Sequence, residues 1–446
     1  MRHARKARLG VAELAAGLLV FLLPVRALSP LASSILSIGA IIAVLLLPVA
    51  LGSLPQYRWW KVIVGTVLAA AVTTAALIID PSGRAINEST QLGVIVVAVS
   101  AFVQLIVLLW ARTYIGTRAV ALAYSAGLVA QTLLAVELTH GNPWKFGLAA
   151  PVTVGLLALI GSTSRAWTVI TLISAAALSA ATGFRSFFGI CVITLAVWLW
   201  NTRPRGSRAI QVAFIAAVGF VVYWVGTVAA LAGWLGERNQ LVTQQQIAEA
   251  GSVLAGGRVE SAAAVALFMQ RPLGYGPGVM PNASDLTLAQ TALVSRGVNV
   301  EGEFVADYLF GTGIKLHSVA ADLWVNFGLG GLFLAVVFTG VLAYGIWNRL
   351  GSPGSPAFYY LTAFIALWNV AFSPIGTNLW SVVFGVALLL PLRGSEPSST
   401  RLAHTELVTG VTSAALSVRR LSRPSRARRR AHHPSGHREN VPKSTM

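Results

Sequence analysis

Apolar residues in this chain come in long unbroken runs separated by short polar connections. Over most of its length there is neither the strict alternation of a half-buried strand nor the one-sided stripe of a surface helix. A helix needs about 20 apolar residues to cross a bilayer. Twelve such runs are predicted, near residues 10–28, 31–53, 62–80, 91–111, 117–136, 146–162, 166–183, 186–201, 209–235, 318–346, 356–373 and 376–392. One connection breaks this rhythm. Residues 236–316 hold no spanning run, carry the Gly-rich turns "AGG", "GYGPG" and "GTG", and contain a predicted short helix at Val259–Met269. Loops of that length are uncommon unless functional, so a folded subdomain is expected there. The expected fold class is an all-α polytopic membrane protein with about twelve transmembrane helices and one large extracytoplasmic loop. Its organisation reads as a cytoplasmic N-terminus (1–9), nine helices (10–235), the loop (236–316), three further helices (317–393) and a basic tail (394–446).

Composition agrees with a lipid-dissolved chain. Of 446 residues, 55% are hydrophobic and only 11% charged, with a mean hydropathy of +0.71, whereas soluble domains carry about 25% charged residues. The single Cys191 forms no internal disulfide and no paired metal site, and is expected to pack in a helix. The opening "MRHARKARLG" imitates a signal peptide, with "ALS" at Ala27–Ser29 as a cleavage site. Pro30 follows and a second apolar run begins almost at once, so the first run is expected to be a retained anchor helix.

The net charge of +18 sharpens the topology rather than pointing to nucleic acid. With the N-terminus inside, the inner connections hold Arg2, Arg5, Lys6, Arg8, Arg58, Lys61, Arg112, Arg118, Arg165, Arg203, Arg205, Arg208 and Arg349. The short outer ones hold only Arg26, Arg84, Lys145 and Arg185. That bias is the positive-inside pattern. Twelve spans also return the tail, with its "RPSRARRRAHH", to the inner side. There "LVTGVTSAALSVRRLSR" is expected to lie as an amphipathic helix on anionic lipid, at about 1 kcal/mol per basic residue near the surface, with the rest disordered.

Ionisable groups bordering a membrane are costly and are functional candidates. They gather on the expected outer side: Arg185 in "ATGFRSFFG", Arg258 and Glu260 in "AGGRVES", and His317, Ser318 and Asp322 in "HSVAADLWVNFGLGG". Ser318 is a helix N-cap residue, and Asp322 falls near the first turn, where its charge suits the dipole. A histidine just before a helix N-terminus is held neutral, as a general base must be. The same pattern fits a histidine that merely anchors the helix. Arg185 and Arg258 offer planar forks suited to phosphate; they also fit a snorkelling residue and a loop charge paired with Glu260. "RPLGYGPG", with Gly274, Gly276 and Gly278, predicts a tight turn that could present N–H groups to an anion. "GLGG", Gly328 to Gly331, predicts close helix packing. No HExxH, paired CxxC or GxSxG occurs. The "EGEFVAD" carboxylates Glu301, Glu303 and Asp307 are read as solvated rather than as a cation site.

Taken together, these segments resemble the O-antigen ligase and O-antigen polymerase superfamily. "HSVAADLWVNFGLGG" is similar to its signature, a His-polar pair separated by nine residues from a Gly-x-x-Gly ending. "GGRVESAAAVALFMQRPLGYGPG" resembles the segment before that signature, and "ATGFRSFFGICVITLAVWLW" the family's mid-chain span with an Arg at its outer start. The resemblance covers roughly residues 146–346. Gln270-Arg271, ahead of the turn, is more basic than the pattern. The resemblance implies a GT-C-like membrane glycosyltransferase in a bacterial cytoplasmic membrane. It would pass a glycan from undecaprenyl diphosphate to a glycan or lipid acceptor on the outer face, without metal or other cofactor. It further implies His317 as the base and Arg185 and Arg258 as the diphosphate ligands, with Ser318, Asp322, Gly274, Gly276, Gly278, Gly328 and Gly331 in support. A secondary transporter or lipid-linked glycan exporter is the rival reading; a secondary transporter would place its ionisable residues at mid-membrane.

Overall fold

The computed structural model describes residues 2–26, 37–161, 164–202, 207–234, 236–253, 258–298, 300, 304–350 and 354–393. The basic tail, the amphipathic helix expected in it, the "ALS" site, Glu301 and Glu303 lie outside the described residues. Among those described, helices account for nearly everything, with no strand beyond two isolated bridges, Tyr57 with Leu392 and Ile86 with Val279.

The helices are α1 (Arg2–Leu22), α2 (Ile38–Leu51), α3 (Trp60–Ile79), α4 (Glu88–Leu134), α5 (Ala149–Ile160), α6 (Arg165–Ala181), α7 (Arg185–Thr202), α8 (Arg208–Leu231), α9 (Glu237–Ala250), α10 (Glu260–Gln270), α11 (Ala283–Val294), α12 (Val319–Arg349), α13 (Ala357–Phe372) and α14 (Ile375–Leu389). Each of the twelve apolar runs carries a helix. Two of the runs share α4, which is broken at Gly116, a residue with φ 75°. By length and composition, five helices can cross a membrane: α3, α4, α7, α8 and α12. The remaining apolar helices are shorter. Cys191 is buried in α7, as expected.

The helix ends show why the elements stop where they do. Asn87 and Asn282 cap α4 and α11, and Asn282 forms a capping box with Asp285. Buried Arg112 donates to the carbonyls of Ala387 and Leu390, satisfying the orphan C=O groups at the end of α14. Arg118 does the same for Ala158 and Leu159 at the end of α5.

These contacts sort the connections into two groups. The segment 52–59 meets 391–393 through Arg58 N to Pro391 O (2.8 Å) and Arg393 N to Gln56 O (2.6 Å). Arg112 and Arg118 join the Gly116 break to the ends of α14 and α5. Asn201 donates to Arg349 O at 3.1 Å. In the other group, Asn87 N donates to Gly278 O (2.8 Å) and Asn142 Nδ2 to Thr182 O (3.0 Å). Arg26 N meets Gln131 Oε1, and Leu316 and Ser318 are tied to Val370 and Ile375. None of these contacts joins a connection of one group to one of the other.

The long loop is built onto α12. Buried Leu267, Tyr275, Leu293, Val305, Leu309 and Leu316 pack with Trp324 and Val325 of α12. The helix expected at Val259–Met269 is α10. Arg84, between α3 and α4, clasps Asp285 of α11 with two parallel hydrogen bonds of 2.7 and 2.8 Å, which fastens the loop to the bundle.

Candidate functional site

The N-terminus of α12 begins as the sequence predicts. Ser318 is the N-cap: its Oγ accepts from Ala321 N at 3.3 Å and donates to Val370 O at 3.0 Å. Asp322 is fully committed to backbone. Its Oδ1 accepts from Leu316 N (2.7 Å) and its Oδ2 from Ile375 N (2.9 Å). One carboxylate thus ties the residue before His317 to the start of α14, while Ser318 ties the residue after it to the end of α13.

Between these two clamps His317 adopts φ 53°. A positive φ in a residue that carries a Cβ costs on the order of 1–3 kcal/mol and persists only where its surroundings enforce it. Here the clamps on Leu316 and Ser318 enforce it. The His317 side chain is half-buried. Its Nδ1 has no hydrogen-bond partner among the described residues and lies 3.8 Å from Glu260 Oε1. The Tyr308 ring lies 5.1 Å from the imidazole, brought there by a π-helical turn, Phe304–Leu309. Arg258, two residues before Glu260, spreads its guanidinium over Phe372 (5.7 Å) and Trp368 (6.0 Å) at the end of α13.

Burial sets the electrostatics of this cluster. Desolvation, reinforced by the Arg258 charge, lowers the His317 pKa and keeps the imidazole neutral. Desolvation also raises the Glu260 carboxyl, against the pull of Arg258. Arg258 is itself lowered by burial, partly offset by Glu260. A neutral imidazole, a carboxyl beside its Nδ1 and a cation within electrostatic range now stand together. Such a grouping can take a proton from a hydroxyl and stabilise an anion alongside.

The glycines act through the backbone. At Gly328, α12 breaks, with φ 65° and ψ −154°. The sequence expectation of simple close packing is therefore incomplete: Gly328 interrupts the helix as well as packing. The break frees carbonyls, and neighbours take them up. Val325 O accepts from both Tyr275 N and Gly276 N (2.9 Å each), and Phe327 O accepts from Thr73 Oγ1 (2.5 Å). The N–H groups at Tyr275 and Gly276 are thus spent on α12, which corrects the expectation that this part of the turn faces an anion. A Cβ on Gly274 would come within 2.7 Å of Gly328 Cα, and one on Gly328 within 2.7 Å of Leu273 O. Gly276 packs on Leu77 and Gly278 on Asn87 and Gln91. Gly331 folds back onto Leu323 O across the break.

Arg185 stands apart from this cluster. It begins α7 and donates to Thr243 Oγ1 of α9 at 2.9 Å. No contact among the described residues joins it to His317 or Arg258. Glu260 was visible in sequence only as a possible partner of Arg258, and its approach to His317 is new. Tyr308, Trp368 and Phe372 had no sequence signal, since aromatic residues are common in such helices. Among the described residues no group of three or more His, Cys, Asp or Glu could hold a metal ion. Comparisons with protein-family models, curated proteins and solved structures return no match.

Proposed function

We propose that this chain is a membrane glycosyltransferase of the O-antigen ligase or polymerase type. It takes a glycan from undecaprenyl diphosphate and passes it to an acceptor hydroxyl at the outer face of a bacterial cytoplasmic membrane. The observation that carries the reading is the grouping of His317, Glu260 and Arg258 at the capped N-terminus of α12, on a segment whose spacing resembles the family signature. In this mechanism His317 removes the acceptor proton as the sugar C1–O bond to the diphosphate breaks. Arg258 stabilises the leaving diphosphate, and Glu260 steadies the imidazolium that forms. A lipid diphosphate is already a good leaving group, so positioning, charge stabilisation and one proton transfer suffice. The resemblance assigns Arg185 to the same diphosphate, a role that would require it to give up its bond to Thr243.

Twelve crossings, with both termini cytoplasmic, fit the sorting of connections into two groups that do not mix. They also fit the excess of Arg and Lys in the group that holds Arg58, Arg112 and Arg118. The basic tail then lies by anionic lipid. The gathering of ionisable residues at one end of the bundle disfavours the transporter reading. The test is reconstitution in liposomes with an undecaprenyl-diphosphate oligosaccharide and a chelator. Glycan transfer that survives chelation supports the proposal, and product length separates polymerase from ligase. No transfer to any offered hydroxyl, with uptake of the oligosaccharide instead, would replace it with the transporter.

A further inference from the structure

A second basic place lies outside the His317 cluster, at the turn that follows α10. Two guanidinium groups stand over the Tyr275 ring: Arg84 at 5.2 Å and Arg271 at 5.7 Å from its centroid. Their circumstances differ. Arg84 is neutralised by the bidentate bond to Asp285, whose remaining capacity goes to Asn282 N. Arg271 has no carboxylate in contact, and its Nη1 is covered without a hydrogen-bond acceptor among the described residues. The nearby Asp80 turns its Oδ1 to Ser82 N. The side chain is only partly covered, so its fork can turn outwards.

Asp80, Arg84 and Asp285 lie within electrostatic range of Arg271, and apolar side chains are exposed on the elements that adjoin it. Val265, Met269 and Leu273 follow one another along α10 and the turn, with exposures of 62%, 76% and 63%. Leu273 O lies against the Gly328 break, below which Leu329, Phe333 and Val336 of α12 are exposed as well. An arginine short of one acceptor, on a turn that follows exposed Val265 and Met269 and packs on the break ahead of Leu329 and Phe333, matches an anionic head on apolar tails. A charge at this level satisfies the fork, and the chains cover the leucines and phenylalanine.

We propose that Arg271 forms a binding site for the phosphate of an anionic phospholipid, whose acyl chains lie along Leu273, Leu329 and Phe333. Because the turn that carries Arg271 also holds the Gly328 break, lipid at this site braces the start of α12. The proposal does not depend on glycan transfer.

The test is native mass spectrometry of the full chain released from nanodiscs of mixed phosphatidylglycerol and phosphatidylcholine. The wild type should retain phosphatidylglycerol preferentially. Arg271→Gln should lower that retention about tenfold, as loss of one charge-assisted hydrogen bond implies, while Arg271→Lys keeps part of it. Arg296→Gln removes an exposed charge of the same sign from the loop and should change nothing. Equal losses in Arg271→Gln and Arg296→Gln would overturn the site in favour of diffuse attraction. Displacement of the lipid by excess inorganic phosphate would overturn the role of the apolar surface. Should Arg271→Gln melt early, the Arg271→Lys comparison and the phosphate competition decide in its place.

Discussion

His317 owes its expected chemistry to neighbours that can be changed one at a time. Burial and Arg258 both hold its pKa below the ordinary histidine value, so the neutral base persists until the pH falls below about 6.5. Glycan transfer should therefore be flat around neutrality, with its acid limb below that value. In Arg258→Gln a positive neighbour is gone, imidazolium becomes easier to form, and the limb should move to higher pH in a kcat/KM profile, with the maximum rate reduced. A limb that moves to lower pH would contradict the assignment. Asp322 makes a different prediction. Asp322→Asn keeps one acceptor but turns an NH2 group towards the N–H of either Leu316 or Ile375. The loss should be about 1–3 kcal/mol, read as a lower Tm in detergent. Ser318 was legible in sequence because capping is local, whereas the bond from Ile375 N to Asp322 joins residues 53 apart and was not. Glu260 and Tyr308 were not, because their approach to His317 depends on how the long loop folds back, and no spacing encodes that.

Among the elements, α12 and the glycine turn act as one piece. Gly328→Ala adds a Cβ at φ 65° and drives it to 2.7 Å from Leu273 O, so it should cost on the order of 1–3 kcal/mol of stability and loosen the turn. Gly340→Ala, further along the same helix, meets nothing within 4 Å and has no positive φ. It should be neutral or slightly stabilising, because alanine favours helix. Paired melting curves check this contrast, and equal effects would deny the break its role. The helices themselves were legible from their apolar runs, to within a few residues of most ends. The break was not. "GLGG" states that the backbone needs room but not whether the room serves a neighbouring helix or a change of direction. Only the carbonyls of Val325 and Phe327, turned to Tyr275, Gly276 and Thr73, distinguish the two.

At the scale of the whole molecule, the proposed alternating topology is the frame on which the proposed site depends. Cys191 is buried, so a Cys191→Ser background leaves no thiol and single cysteines report sidedness cleanly. Arg296→Cys, in the long loop, should react with an impermeant maleimide added outside intact cells. Arg58→Cys and Arg165→Cys should react only after permeabilisation. Labelling in the reverse sense would turn the cluster to the cytoplasm and remove it from an outer-face donor. The apolar runs carried the helices in the sequence, while the sidedness proposed for them rests on the distribution of Arg and Lys. The gathering of Arg258, Glu260 and His317 needed the packing of α10, α12 and α13. The most direct test of the central claim is the rate of glycan transfer from an undecaprenyl-diphosphate oligosaccharide by reconstituted His317→Ala beside the wild type. Removal of the general base should slow transfer by about 100-fold or more while the protein stays folded. A His317→Ala rate equal to the wild type would contradict the account.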